Sequence, residues 1–356
     1  MKTAHNVLIL GASYGSLLAT KLALGGHSAR MVCLPNEVQL FNQAGAIVRL
    51  PVKGRDGLVE VRSRDLPGKL SAAGPGEVAP FDYDLVVLAM QEPQYRSPGV
   101  RELIQSVATS RVPCMSIMNM PPLPCLARIP GVDPAACRGC YADPTVWDGF
   151  DPQLMTLCSP DPQAFRPPEE PVNVLQVRLP TNFKSARFPS QAHTAILRRL
   201  EADIEAARFE LGRERIELPV KLKVHDSVFV PLAKWSMLLA GNYRCVTAGG
   251  IRSIKEAVHG DLAASRAVYE WVMKLCVSLG ASEKDLVPFD KYAAAAQGLA
   301  GPSSAARALY AGAPNIERVD RLVQAIARQK GQGLAAIDET VALVDAKLEE
   351  NRKAKK

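Results

Sequence analysis

The stretch Gly11-Ala12-Ser13-Tyr14-Gly15-Ser16 stands between an apolar run, NVLIL at 6–10, and a segment of helical character at 15–24. A glycine-rich turn between strand and helix aims backbone N–H groups and the positive end of the helix at an anion, above all a dinucleotide pyrophosphate. Gly11 permits the tight turn and Gly15 permits close packing of helix on sheet. The other reading is a plain strand–turn–helix connection, because the middle glycine of a G-x-G-x-x-G fingerprint is missing.

Other residues offer chemistry with a structural alternative beside each. Cys137-Arg138-Gly139-Cys140 has the spacing of a metal or redox pair, but zinc needs further ligands at matched spacing, and Cys125 and Cys158 stand isolated. No metal is expected. His225-Asp226 is either an N-cap with a neighbouring histidine or an acid–base pair at the start of the segment carrying Trp235. Trp147 and Asp148 read as an anchored loop or as a lid over a cleft. Lys184 and Arg187 are either solvated or partners of a substrate carboxylate.

The elements that must position these residues follow from periodicity and breakers. Continuous apolar runs at 6–10, 29–34, 83–90 and 114–119 read as buried parallel strands. Helices are expected at 15–24, 38–45 and 99–109, and an alternating strand pair flanks Lys53-Gly54-Arg55-Asp56-Gly57. From 120 to 171 the chain holds 12 of its 27 prolines, which excludes long helices there, while QLMTLC and VNVLQVRL remain strand-like. Residues 190–211 and most of 226–349 carry a helical apolar period, with IELPVKLKV as an extended connector between them. The fold class is α/β. A Rossmann-type, mostly parallel sheet domain with extra strands is expected over 1–186, an all-helical substrate and dimerisation domain over 187–350, and a basic tail over 351–356.

At 356 residues, two domains fit the usual ~150 residues each. The net charge of +7 gathers partly at Arg352, Lys353, Lys355 and Lys356, a solvated tail rather than a phosphate-binding face, and no nucleic-acid motif accompanies it. Lys2 precedes apolar residues, but Gly11, Ser13 and Gly15 break the run into strand, turn and helix rather than a signal peptide. No run reaches the roughly 18 apolar residues of a membrane span. The eight scattered cysteines suit reduced thiols, so a cytoplasmic location is expected, with neither nucleic acid nor membrane as partner.

Five pieces resemble the ketopantoate reductase family, in its order and near its spacing: GASYGSLLATKLALGGHSARMVCLPNEVQLFNQAGAIV, YDLVVLAMQEPQY, MSIMNMPPL, LAKWSMLLAGNYRCVTA and PSSAARALYAGAPNIERVDRLV. The resemblance implies an N-terminal Rossmann domain, a C-terminal helical domain and a cleft between them in which a 2-oxo acid is reduced by NADPH. It places the cofactor on Gly11, Ala12, Ser13, Tyr14, Gly15, Ser16, Leu34, Met90, Gln91 and Asn119. Substrate contacts fall on Ser303, Ser304, Asn315 and Glu317, and the chemistry on Lys234, Asn242 and Asn119.

The departures from the family matter as much. Its turn is one residue longer, with a glycine where Ser13 or Tyr14 now stands, and Tyr14 could shield the site. Leu34 and Gln91 occupy the two positions where the family commonly has cations for the adenosine 2′-phosphate, so little preference for that phosphate is expected. Asn36 or Glu37 could meet a ribose hydroxyl instead, as in NAD-preferring sites. Met237 stands where the family's proton-donating lysine belongs. Lys234 lies almost a helical turn earlier, and Asn242 lies one residue later than expected. The reading is an oxidoreductase using NAD or NADP on a small-molecule carbonyl or imine, with a homodimer as candidate assembly. The alternatives are a binding protein that has lost the chemistry and an enzyme using another hydride carrier.

Overall fold

The computed structural model describes residues 4–355; Lys2 and Lys356 lie outside the described residues. The chain divides into two compact units that exchange segments. The first takes in the chain up to Met90, Gln94–Met118 and Asp148–Asp226; the second takes in Gln91–Pro93, Asn119–Trp147 and the chain from Ser227 onward. The single boundary expected near 186 is therefore replaced by several crossings. The helix and strand after 186 pack on the first unit's sheet, and much of the proline-rich stretch joins the second unit.

In the first unit the strands are β1 (Asn6–Leu10), β2 (Ser28–Val32), β3 (Ile47–Pro51), β4 (Leu58–Arg62), β5 (Lys69–Ala73), β6 (Leu85–Leu88), β7 (Cys114–Ile117) and β8 (Met155–Ser159). They continue with β9 (Gln163–Phe165), β10 (Val174–Leu179), β11 (Phe183–Ala186), β12 (Phe209–Leu211), β13 (Glu214–Ile216) and β14 (Leu222–His225). An eight-stranded sheet runs β14-β11-β8-β7-β6-β1-β2-β5, parallel except where β11 meets β8. A second sheet, β4-β3-β10-β9, collects the alternating pair. Helices α1 (Tyr14–Leu24), α2 (Pro35–Ala44), α3 (Val100–Ser110) and α4 (Gln191–Ala206) complete this unit. Val7 to Leu10 and Leu85 to Leu88 are fully buried, as continuous apolar strands covered on both faces must be.

Two readings change here. Residues 69–73 form the edge strand β5, although KLSAA carries little strand signal; the Asn42 side chain of α2 holds it by bonding both the N–H and the C=O of Ala72. The helix expected over 190–211 stops at Ala206, because FEL pairs with Glu214–Ile216 as a hairpin. The connector that follows supplies β14, parallel to β11.

The second unit is mostly helical: α5 (Phe229–Leu232), α6 (Lys234–Met237), α7 (Ile254–His259), α8 (Leu262–Ser278), α9 (Phe289–Ala296), α10 (Ser304–Tyr310), α11 (Val319–Gln329) and α12 (Ala335–Lys353). It is not wholly so, since Val246–Thr247 pairs with Gly250–Ile251. The expected tail also differs. α12 continues to Lys353, and Asn351 is buried, donating to the carbonyls of Leu309 and Ala313.

Candidate functional site

The turn after β1 is built around Gly11, whose φ of +107° lies where L side chains are strained. A Cβ there would lie 2.6 Å from Met90 Cγ and 2.7 Å from the Ala89 carbonyl oxygen. A Cβ on Gly15 would come within 2.8 Å of Ile9 Cγ2, so this glycine sets how closely α1 packs on the sheet. Gly11 N–H bonds to the Val32 carbonyl, and Ser16 closes the turn through its N–H and its hydroxyl on the Ser13 carbonyl. Ala12 is buried and Ser13 exposed. Ser13 makes no side-chain cap and no acid stands in the first turn of α1. The residues fit a pyrophosphate, because the first N–H groups of a helix lack intrahelical acceptors and its dipole favours an anion. Tyr14 packs against the core of this unit rather than standing free over the turn.

At the end of β2, Leu34 is 65% exposed and begins α2. Glu37 does not present a lone carboxylate to a ribose: it is buried, accepts the Leu34 N–H at 3.2 Å, and pairs with Arg166. Burial beside Glu37 pushes the Cys33 thiol up to about 12. Arg166 was not foreseen, since it lies 129 residues away in the chain.

In the second unit a pocket gathers five of the sequence candidates, Gln91, Asn119, Asn242, Ser304 and Glu317, with Leu238, Tyr243, Ala305 and Ile316. Glu317 is its one acid, and no Lys, Arg or His is among its lining residues. Glu317 Oε2 accepts from Asn119 Nδ2 at 3.3 Å, and Oε1 accepts from the Glu92 N–H at 3.4 Å. Burial raises the carboxyl to about 7, against the pull of those two donors and of the Lys234 charge. The Tyr243 hydroxyl donates to the Glu317 carbonyl and accepts from the Val319 N–H, fixing the segment that presents the acid. Asn119 Oδ1 is buried without a partner among the described residues, an acceptor left for a ligand donor.

Around Lys234 the chain passes from the α turns of α5 and α6 into a π turn and then a 3-10 turn at Tyr243–Cys245. After α6 the backbone makes a π turn over Leu238–Asn242, so one extra residue is absorbed and Met237 and Asn242 stand one wide turn apart. Asn242, at the end of that turn, lines the cavity. The Met237 carbonyl accepts from the Tyr292 hydroxyl at 3.1 Å, and a Cβ on Gly241 would overlap that hydroxyl. Lys234 is half-buried, lies outside the lining, and acts on Glu317 through charge.

The remaining candidates fall elsewhere. Ser303 is buried, caps α10, and donates to the Asn242 carbonyl at 2.7 Å, a structural duty. Asn315 lines a separate cavity with Arg318, Arg321 and Arg352. Asp226 pairs with Arg198, and Ser227 rather than Asp226 receives the first N–H of α5. Trp147 is buried in its loop, and Lys184 pairs with Asp161 at 2.8 Å. Cys137 accepts from Gln329, and burial pushes Cys140 up to about 12. Among the described residues no group of three or more His, Cys, Asp or Glu could hold a metal ion, and no helix is long and apolar enough to cross a membrane.

No protein-family model and no curated protein matches the chain. Solved structures do. A ternary structure of D-mandelate dehydrogenase with NADH and anilino(oxo)acetate superposes with a TM-score of 0.63 at 14% identity, covering 98% of this chain and 99% of that one. A 2-dehydropantoate 2-reductase from Methylococcus capsulatus gives 0.62 at 14% identity, over 97% of each chain. A PanE/ApbA family ketopantoate reductase from Ralstonia eutropha gives 0.59 at 15% identity, over 98% of this chain and 99% of that one. Over nearly its whole length, this chain has the fold of the ketopantoate reductases.

Proposed function

We propose that the protein is an oxidoreductase that uses NAD(H) or NADP(H) to reduce a carbonyl or imine of a small molecule, with Glu317 as the proton donor. The observation that carries this reading is a buried carboxyl held near 7 in a cavity with Asn119 and Asn242. A nicotinamide dinucleotide on the Gly11–Ser16 turn would supply the hydride. Hydride addition to a carbonyl carbon breaks the π bond and leaves charge on oxygen, which takes the Glu317 proton; the carboxylate is then reprotonated from solvent. Met237 cannot donate a proton, and a carboxyl whose pKa lies near the working pH can both hold and release one.

The lining also speaks to substrate. A carboxylate next to the reacting carbon, as in a 2-oxo acid, calls for a cation in the cavity, and none lines it. The Asn119 acceptor and Glu317 instead suit an uncharged group that brings its own donor. The test is calorimetry with NADH and NADPH, followed by reduction assays on neutral ketones, imines and 2-oxo acids. Glu317→Gln should keep dinucleotide affinity and lose about 10²–10⁴ in turnover of a neutral carbonyl. Failure of the unsubstituted protein to bind either dinucleotide at about 1 mM would sink the reading, since such affinity is near the floor of specific binding.

A further inference from the structure

We propose that the second unit binds a phosphate-bearing small molecule in the pocket lined by Arg318, Arg321 and Arg352, separate from the pocket that contains Glu317. The proposal goes beyond the dinucleotide reading and does not depend on it. The two pockets of this unit are opposite in charge. Among its lining residues the first has one acid and no cation, whereas the second has three arginines and no acid. Arg318 stands immediately before α11, Arg321 lies in the first turn of α11, and Arg352 lies in the last turn of α12. Like charges gathered at one pocket repel, so the arrangement costs stability unless acids or a bound anion offset it.

Two acids of the chain, Asp320 and Asp345, answer three positive charges. Arg318, its side chain only 8% exposed, donates from Nε and Nη2 to the two oxygens of buried Asp320 at 3.0 and 2.9 Å, and from Nη1 to Asp345. Those bonds lock one guanidinium into the wall of the pocket. Among the described residues Arg321 meets only the other Asp345 oxygen, at 3.7 Å, too long for a hydrogen bond, so its five N–H donors stay open. Arg352 is held by neutral acceptors, with Nε on the Pro314 carbonyl at 2.9 Å and Nη2 on Asn315 Oδ1 at 3.4 Å, which leaves Nη1 over. Glu349, one turn earlier, is engaged by Lys353 at 2.8 Å. One guanidinium charge is thus in excess. A tetrahedral oxyanion suits such a pocket, because its oxygens point several ways and accept from separate guanidiniums, whereas a planar carboxylate fills a single fork. Leu348 and Ile316 supply apolar wall for the organic part of the ligand. Ile316 lines both pockets, so an anion held here rests against the segment that presents Glu317.

The probe is inorganic phosphate, titrated calorimetrically into the full-length protein and into Arg321→Gln and Arg352→Gln, with potassium chloride holding the ionic strength constant. Arg318 is left in place, because breaking its pair with Asp320 would strand a buried charge. The unsubstituted protein should bind phosphate with a Kd of about 1 mM or tighter, and each substitution should weaken binding at least about tenfold. Acetate should bind at least about tenfold more weakly than phosphate. Thermal unfolding without phosphate reports whether each variant is intact, and added phosphate should raise the Tm of the unsubstituted protein more than that of either variant. Phosphate bound instead on the Gly11–Ser16 turn would survive both substitutions. Unchanged phosphate affinity in either variant, or no phosphate binding by the unsubstituted protein, overturns the arginine site and leaves the dinucleotide reading standing. Equal binding of acetate and phosphate overturns the assignment to a phosphate.

Discussion

The side-chain amide of Asn119 donates to the carboxyl of Glu317 at 3.3 Å, joining residues 198 positions apart at the wall of one cavity. That bond and the Lys234 charge favour the ionised acid, yet burial outweighs them and the group stays protonated up to about 7. The consequence for stability has a definite sign. Between the ordinary value of 4.5 and about 7, the native state holds a proton that the unfolded chain releases, so stability falls as pH rises through this window. Glu317→Gln removes the ionisation and should be the more stable protein at pH 8 by roughly 2–3 kcal/mol, with little difference at pH 4. Urea denaturation at the two pH values checks this; parallel pH dependence in both proteins would contradict it.

The same acid should shape turnover. For carbonyl reduction the protonated form is the active one, so kcat should be highest below about 7 and decline above it. Lys234→Met withdraws a charge that pulls the carboxyl down, and should move this decline to higher pH while leaving substantial turnover. A loss of a hundredfold or more at every pH would instead make Lys234 the donor.

Gly11 is under the tightest steric demand of the turn. Gly11→Ala places a Cβ against Met90 and the Ala89 carbonyl at a positive φ, and should cost about 2–4 kcal/mol and most of the dinucleotide affinity. Gly76→Ala, with no atom near the new Cβ, serves as the control and should stay within about 0.5 kcal/mol. Thermal melts and calorimetry separate the two effects.

The π turn depends on Gly241 and Tyr292 together. Tyr292→Phe removes a donor to the Met237 carbonyl and should cost about 1 kcal/mol. Gly241→Ala should cost more, because its Cβ overlaps the Tyr292 hydroxyl. In the double variant that overlap is relieved, so the two costs should sum to more than the double costs, by about 1 kcal/mol or more in a denaturant-measured cycle. Strict additivity would place the strain elsewhere.

The strand–turn–helix at 6–24, the buried strands near 85 and 115 and the helical character beyond 226 were all legible in the sequence. These follow from local backbone rules, in which apolar spacing and glycine position dictate conformation over a few residues. The edge strand at 69–73 escaped notice because KLSAA carries little strand pattern, while its backbone is held by the ladder to β2 and by Asn42 at Ala72. The proline-rich stretch was rightly read as lacking long helices, but its division between the two units depends on packing that no local pattern records.

For the site, residue types were legible and their duties were not. Asn119, Asn242, Ser304 and Glu317 meet at one cavity, whereas Ser303 and Asn315 serve elsewhere. The sequence by itself determined that Met237 cannot supply a proton and that Leu34 and Gln91 cannot hold a phosphate charge, since those statements depend on side-chain chemistry alone. Only the tertiary structure decided that Glu317 retains its proton to about 7 and that a cation stands beside Glu37 after all. Proton affinity and charge pairing depend on desolvation and on distances of a few ångströms between residues more than a hundred positions apart, and only the folded chain sets those.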